Sequence, residues 1–147
     1  MIVKYISKSP KETQELAKDL MKKLKNLTYK NAVVVALEGE LGAGKTTFVQ
    51  GMAKALKIKA RVKSPTFSLM KSYKLKTESY KLLFHIDCYR LRDHKDLELL
   101  GITDILNNPE NLVLIEWADR VKEILPKKHI TIHIDHISEK ERKISIK

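Results

Sequence analysis

A glycine-rich turn between an apolar run and a helix-like run is the feature that most restricts the fold of this chain. The segment GELGAGKTTF, residues 39–48, follows the uniformly apolar run AVVVAL. It satisfies the pattern G-x-x-x-x-G-K-[ST], in the strand-before and helix-after context that the pattern requires. Glycines there let successive backbone N–H groups point at a phosphate, and the N-terminus of the helix adds its dipole. The sequence therefore predicts a phosphate-binding loop at a strand–helix junction.

The polar side chains that end this motif have predictable partners. We expect Lys45 to bridge the β and γ phosphates as a point charge and Thr46 to offer its hydroxyl to Mg²⁺. A second magnesium anchor is normally an acid at the carboxyl end of a neighbouring strand. Asp87 ends LLFHID and Glu116 ends LVLIE. In a parallel sheet both carboxylates would share an edge with the loop, although either acid could instead serve as a strand-end salt-bridge partner.

The hydrophobic patterns around the loop predict an α/β sheet. AVVVAL is too apolar to be half exposed, which favours a central strand covered on both faces in a partly parallel sheet. Ser9, Pro10 and Glu12 form an N-cap, a first-turn proline and a capping box for an amphipathic helix with a leucine stripe at 16, 20 and 24. Further strands are predicted at 1–7, 81–91 and 111–118, an extended segment after 65, a short helical stretch at 97–108 and a hairpin over 129–147 that turns at 138–140.

Length and composition bound the class of protein. At 147 residues the chain suits one compact domain, which we place at 1–147. No apolar stretch approaches the roughly 20 residues that a bilayer crossing needs, and the first residues lack the apolar region of a secretory signal. Cys88 is the only cysteine, which excludes an intrachain disulfide and suits a reducing compartment. We therefore expect a cytoplasmic protein without a membrane partner.

The positive charge of the chain is unevenly distributed. The formal net charge is +11, and residues 54–81 carry nine basic side chains against one acid, Glu78, whereas residues 91–119 carry two basic and seven acidic ones. A cationic segment of this kind attracts RNA, an acidic protein or nucleotide, since all three respond to the same long-range field. It is equally typical of a solvated lysine-rich surface.

Four segments occur in an order that resembles one family. GELGAGKTTF, VKSPTF, HIDCYR and IEWADR together are similar to the TsaE family, small bacterial ATPases required with TsaB and TsaD for the threonylcarbamoyladenosine modification of tRNA. The resemblance extends from the first helix to the closing hairpin. It implies a P-loop NTPase three-layer α/β fold, with a mixed sheet that has parallel core strands and a C-terminal antiparallel hairpin. It also implies TsaB and TsaD as partners, with tRNA reached indirectly through their complex.

The resemblance also implies roles for individual residues. The phosphates of ATP or ADP would be wrapped by Gly42, Ala43, Gly44, Lys45, Thr46 and Thr47. Thr46 and Glu116 would hold Mg²⁺, Asp87 would be the catalytic acid acting with Lys45, and Thr13 would lie near the nucleotide. ATP rather than GTP rests on the resemblance, together with the lack of an N/T-K-x-D motif for guanine.

The resemblance also bears on one loop and on several single residues of the motifs. Residues 64–66 correspond to a mobile loop of the family, and we expect TsaB and TsaD to dock near it and near the basic segment. Trp117 matches a family tryptophan, yet aromatic packing at a strand end would explain it as well. Within the motifs, Glu40 stands where aspartate is common and Cys88 lies at a variable place, more typical of a small buried side chain than of a nucleophile.

Two other functions fit parts of the sequence. A small-molecule kinase shares the phosphate loop, but its lid would fall on RLRDHKDLELLG, which is acidic. A nucleotide-gated RNA-binding module would use the basic segment, with Phe67, Tyr73 and Tyr80 stacking on bases. The three C-terminal histidines resemble a metal cluster but alternate as the polar face of a strand: His129, His133 and His136. Arg90, Arg92 and Arg120 are candidate charge stabilisers for phosphoryl transfer and equally candidate surface ion-pair members.

Overall fold

The computed structural model describes residues 2–25, 27, 29–40, 42–63, 65 and 68–147. Its elements follow the predicted α/β order. In chain order they are β1 (Val3–Ser7), α1 (Pro10–Leu24), β2 (Val33–Glu38), α2 (Lys45–Ala55), β3 (Met70–Lys74), β4 (Leu82–Asp87), α3 (Lys95–Glu98), α4 (Ile102–Leu106), β5 (Asn111–Glu116), a 3-10 segment (Ala118–Ile124), β6 (Ile130–His136) and β7 (Arg142–Ile146).

All seven strands form one mixed sheet in the order β1-β7-β6-β2-β5-β4-β3. The core is parallel, because β2 pairs in parallel with β5 and β6, and β4 pairs in parallel with β5. The edges are antiparallel: β6 and β7 form the closing hairpin, β7 pairs with β1, and β3 pairs with β4. The predicted mixed sheet with parallel core strands and a C-terminal hairpin is confirmed.

The central strand β2 has helices on both of its faces. Val33, Val35 and Leu37 belong to the apolar cluster under α1 and α2. Val34 and Ala36 belong to a second cluster with α3, α4 and the 3-10 segment. Because successive side chains of a strand point to opposite faces, this uniformly apolar strand holds two helical layers against one sheet. The three-layer fold is therefore confirmed.

Helix α1 begins as predicted, and its buried face overlaps the leucine stripe without being centred on it. Ser9 Oγ accepts a hydrogen bond from the backbone N–H of Glu12 at 3.1 Å, whereas Glu12 Oε2 accepts from the backbone N–H of Lys8 at 2.6 Å rather than from that of Ser9. The buried side chains are Thr13, Ala17, Met21 and Leu24, while the predicted Leu16 and Leu20 are only partly buried. The small side chain of Ala17 lies where α2 approaches α1 closely, at Gly51.

Some sequence predictions fall where the structure gives no description. Ser64, Thr66 and Phe67 lie outside the described residues, and their predicted roles stay predictions; Pro65 between them is buried. Tyr80 is only 1% exposed, so the prediction that it stacks on a base is wrong. Among the described residues, no helix has the length and apolar character needed to cross a membrane.

Candidate nucleotide site at the carboxyl edge of the sheet

The phosphate loop, residues 39–46, leaves the carboxyl end of β2 and enters the first turn of α2. A Cβ atom at Gly39 would lie 2.4 Å from the carbonyl oxygen of Ile134 in β6, so only glycine fits there. Gly44, the N-cap of α2, has a φ of 110°, and among the described residues no side chain caps this helix end. The unpaired N–H groups of the first helical turn are therefore available to an anion.

Lys45 is buried at the base of this loop, with 4% of its surface exposed. Its Nζ donates hydrogen bonds to the carbonyl oxygens of Gly39 at 2.6 Å and Glu40 at 2.8 Å. The same atom lies 4.1 Å from the centroid of the Trp117 ring. Burial lowers the pKa of Lys45, and the carboxylates of Glu116 and Asp87 act in the opposite direction. The ammonium group is thus held where carbonyl dipoles and two acids compensate its burial.

The structure brings Thr46 and Glu116 together, although 70 positions separate them in the sequence. Thr46 Oγ1 donates to Glu116 Oε1 at 2.9 Å. Glu116 is the last residue of β5, and the sheet register places it beside Leu37 of β2 and Asp87 of β4. The two predicted acids therefore end adjacent parallel strands, at the edge where the phosphate loop lies. Their roles toward a metal ion stay predictions.

His85 is a residue of this site that the sequence reasoning missed. It is fully buried, and its Nε2 donates to Glu116 Oε2 at 2.5 Å, so each carboxylate oxygen of Glu116 has its own partner. Its Nδ1 is buried with no hydrogen-bond partner among the described residues. The alternation of β4 contained the signal, since His85 precedes Asp87 by two residues and must share its face of the sheet.

Thr13 lines a small cavity behind the phosphate loop. The cavity has a volume of about 100 Å³ and is lined by α1, the loop and the turn of the β6–β7 hairpin: Ser9, Pro10, Thr13, Gly42, Gly44, Thr47, Glu139, Lys140 and Arg142. Thr13 Oγ1 lies 2.6 Å from Ser7 Oγ. Three of the predicted nucleotide-binding residues, Gly42, Gly44 and Thr47, therefore share one cavity with Thr13.

Arg142 is a second residue that the sequence reasoning missed. Its Nε donates to the carbonyl oxygen of Ala43 at 3.0 Å, and its Nη1 donates to the carbonyl oxygens of Ser138 at 2.8 Å and Glu141 at 2.9 Å. It therefore ties the hairpin turn to the phosphate loop. Arg142 and Ala43 are 99 positions apart in the sequence, and no local pattern indicates that they are in contact.

Trp117 contacts Lys45 with its ring, which also contacts the side chains of Tyr89 and Arg120. Its backbone φ of 58° is left-handed, an uncommon conformation for a bulky residue and one that clusters at functional sites. Its ring centroid lies 5.0 Å from that of Tyr89. Arg120 lies over both rings and donates to the carbonyl oxygen of Tyr89 at 2.5 Å. The candidate arginine Arg120 is therefore placed against this cluster of rings.

The cysteine and two of the C-terminal histidines singled out in the sequence have contacts within the fold. Cys88 is fully buried among apolar side chains, and burial raises the pKa of its thiol to about 12. His129 Nδ1 lies 2.6 Å from the carbonyl oxygen of Pro126. His133 contacts Asp135 of its own strand at 2.9 Å and Glu38 of β2 at 3.5 Å. Both histidines therefore have nearby acceptors within the fold.

The parallel core, the loop between β2 and α2 and the carboxyl-edge acids define an α/β protein of the P-loop type. The chain belongs to the TsaE family: the family model for "Threonylcarbamoyl adenosine biosynthesis protein TsaE" matches residues 7–144. The predicted resemblance is confirmed.

Curated relatives carry the name "tRNA threonylcarbamoyladenosine biosynthesis protein TsaE". The chain is similar to that of Haemophilus influenzae, with 40% identity over 77% of this chain and 69% of the relative. It is 36% identical to that of Bacillus subtilis over 97% of this chain and 84% of the relative, and 36% identical to that of Aquifex aeolicus over 99% and 96%. The crystal structure of YdiB from Bacillus subtilis superposes with a TM-score of 0.76 at 31% identity, covering 99% of this chain and 84% of the other.

Proposed function

We propose that this chain is a Mg²⁺-dependent ATPase required for the threonylcarbamoyladenosine modification of tRNA. It acts as one domain over 1–147, in the cytoplasm, together with TsaB and TsaD. Family membership and the names of the relatives support the tRNA-modifying role. The observation that carries the ATPase activity is the Thr46–Glu116 hydrogen bond at 2.9 Å, which brings a phosphate-loop hydroxyl to a strand-end carboxylate.

The donor groups at this edge fit a hard cation and a polyphosphate. The Thr46 hydroxyl and the Glu116 carboxylate offer oxygen, the ligand type that Mg²⁺ prefers. The open amides of α2 and the ammonium group of Lys45 face the negative charge of phosphates. Bound Mg²⁺ would neutralise charge that develops on the phosphoryl oxygens. Glu116 would hold the Mg²⁺ ion, and the hydrogen bond from His85 would fix the orientation of the Glu116 carboxylate.

The remaining residues divide the work of binding and catalysis. Residues 42–47 cradle the phosphates with their backbone N–H groups, and Thr13 closes the cavity behind the loop. Asp87 orients the attacking water and accepts its proton, because it ends the strand beside Glu116. Asp87 Oδ1 also accepts a hydrogen bond from the backbone N–H of Tyr89 at 2.9 Å, which fixes the carboxylate.

We expect hydrolysis by the isolated chain to be slow. Phosphoryl transfer gains about 10³ to 10⁵ in rate from an arginine placed on the transferring group. Arg142 is bonded to the carbonyl oxygens of the phosphate loop and hairpin turn, and Arg120 lies on the Tyr89 and Trp117 rings. Both guanidinium groups thus have structural contacts. TsaB and TsaD would complete the site, docking near residues 64–66.

An ATPase assay with and without purified TsaB and TsaD tests this function. The isolated chain should bind ATP and ADP with Mg²⁺, and the partners should raise turnover at least several-fold. Lys45→Ala should abolish nucleotide binding or hydrolysis, whereas Lys22→Ala, at an exposed position of α1, should match the wild type. If Lys45→Ala kept the wild-type nucleotide affinity and ATP turnover, the assignment of this segment as a phosphate-binding loop would be contradicted. Fast hydrolysis that ignores both partners would favour a free-standing enzyme.

A further inference from the structure

A large groove lies at the end of the molecule opposite the phosphate loop. It has a volume of about 710 Å³, and its described lining includes five lysines and one acid: Lys25, Lys57, Lys59, Lys74, Lys76 and Glu78. We call it the lysine groove. Helix α2 separates it from the nucleotide site, because its eleven residues run from Lys45 in the loop to Ala55 in the groove, about 16 Å. The groove is therefore a separate surface.

The walls of the lysine groove are fixed by buried hydrogen bonds. Tyr80 Oη donates to the carbonyl oxygen of Leu24 at 2.7 Å, and Ser79 Oγ donates to that of Lys25 at 2.7 Å. These bonds join the turn between β3 and β4 to the end of α1. They also occupy helix-end carbonyl oxygens that would otherwise repel an anion. The groove is thus a preformed part of the fold.

The lysine groove carries an excess of positive charge. None of its five lysines has an ion-pair partner within the part of the chain that the structure describes. Lys57 has a φ of 60°, a left-handed conformation in which glycine is preferred at the end of a helix. Its N–H donates to the carbonyl oxygen of Lys54 at 3.1 Å and closes α2. Closing the helix does not require a lysine at this position.

We propose that the lysine groove binds the phosphodiester backbone of tRNA directly. The inference rests on the proposed function, which supplies tRNA as the polyanion. A protein partner is disfavoured because lysine is depleted at protein interfaces, whereas five of the ten described lining residues are lysines. Lysine ammonium groups contact phosphates as point charges and read no sequence.

The proposal fixes how the affinity depends on salt. Each phosphate that a lysine neutralises contributes about −0.7 to −0.9 to the slope of log K against log salt, so five lysines predict a slope of about −4. Binding should be insensitive to the identity of the tRNA. It should be independent of ATP, because the nucleotide site lies at the other end of α2.

Fluorescence anisotropy with labelled tRNA over a range of KCl concentrations tests the proposal, with ATP affinity measured on the same samples. The variant Lys57→Glu/Lys76→Glu should lose most of the affinity and about 1.5 units of slope. The control Lys95→Glu/Lys122→Glu changes exposed lysines on the opposite face of the sheet and should keep the wild-type slope. Lys57→Gly should lose about one unit of slope while its Tm stays equal or rises.

The possible outcomes separate tRNA binding by the groove from its alternatives. Wild-type protein that binds ATP but not tRNA overturns it and leaves the proposed function standing, whereas failure to bind ATP would defeat the function itself. Equal losses in the groove and control variants would show a net-charge effect and overturn the assignment. Groove variants that keep tRNA affinity but no longer bind TsaB or TsaD would assign the groove to an acidic protein instead.

Discussion

Replacement of Gly51 by alanine tests how closely α1 and α2 pack. A Cβ atom at this position would lie 2.6 Å from the carbonyl oxygen of Gln14, 2.7 Å from its Cα and 2.8 Å from the Cβ of Ala17. Two of these atoms belong to the backbone of α1 and cannot rotate away. The helix would have to move by about 1 Å to restore ordinary contact distances, which is the overpacking situation.

Two effects of opposite sign determine the magnitude. Alanine is favoured over glycine inside a helix by about 1 kcal/mol. Overpacking a closely packed site costs about 1–3 kcal/mol, and the backbone contacts place this site toward the upper end. We therefore expect a net loss of about 1–2 kcal/mol and a fall in Tm of about 3–8 °C for a chain of this size. Because α1 carries Thr13, nucleotide affinity should fall as well.

Thermal unfolding and nucleotide titration of Gly51→Ala measure both effects. Gly101→Ala adds the same methyl group at a φ of 82°, where no atom lies within 4 Å. That control should lose about 1 kcal/mol from backbone conformation alone and keep its nucleotide affinity. A Gly51→Ala protein that is as stable as the wild type, or more stable, would refute the close approach of the two helices.

Four other substitutions test the site and the core. Glu116→Ala should weaken the Mg²⁺ dependence of ATP binding, whereas Asp87→Ala should bind ATP with a normal Mg²⁺ response and turn it over slowly; the reverse result in a Mg²⁺ titration would exchange the two roles. His85→Leu removes the bond that orients Glu116 and should weaken Mg²⁺-dependent nucleotide affinity about 10- to 100-fold, and an unchanged affinity would contradict that role. Burial raises the pKa of Tyr80 from 10.0 to about 12, so its stabilisation is present below pH 10 and is lost by pH 12. The stability difference between the wild type and Tyr80→Phe in urea titrations should therefore shrink by about 2–3 kcal/mol over that range, and a constant difference would contradict the shift.

The parts of the fold that the sequence predicted are those with strong local patterns. AVVVAL indicated the central strand, because a strand buried on both faces is predominantly apolar. The alternating tail indicated the β6–β7 hairpin, and the strand–loop–helix junction followed from the glycines. Strand order had no comparable signal, since β1 pairs with β7 across almost the whole chain.

Local periodicity located the buried face of α1 only approximately. The leucine stripe does contact the core, with Leu24 buried and Leu16 and Leu20 partly buried, but the fully buried positions also include Thr13 and Ala17. The reason lies in the partner helix, whose Gly51 admits only small neighbours. A single helix read by itself cannot reveal how close its neighbour comes.

Some residues of the candidate site were also predictable from the sequence, whereas others were not. Thr46 followed from the motif and two acids, Asp87 and Glu116, followed from the strand ends, whereas the choice of Glu116 as the partner of Thr46 depended on the family resemblance. His85 was available from the alternation of β4, but its bond to Glu116 depends on β4 and β5 being neighbours in register. Arg142 was not predictable, since its contact with Ala43 arises only when the hairpin folds against the loop.

The cavity behind the phosphate loop has walls from both ends of the described chain, α1 and the β6–β7 turn. Synthesis on the ribosome delivers these walls at very different times. When the phosphate loop first emerges, Arg142 has not been made, and β1 still lacks β7 as its partner. If nucleotide binds at the proposed site, the nascent chain would lack two of its walls, and nucleotide would not stabilise folding intermediates before the hairpin closes. Ligand binding would report the last step of folding, so that a chain released early remains empty and exposed to proteolysis.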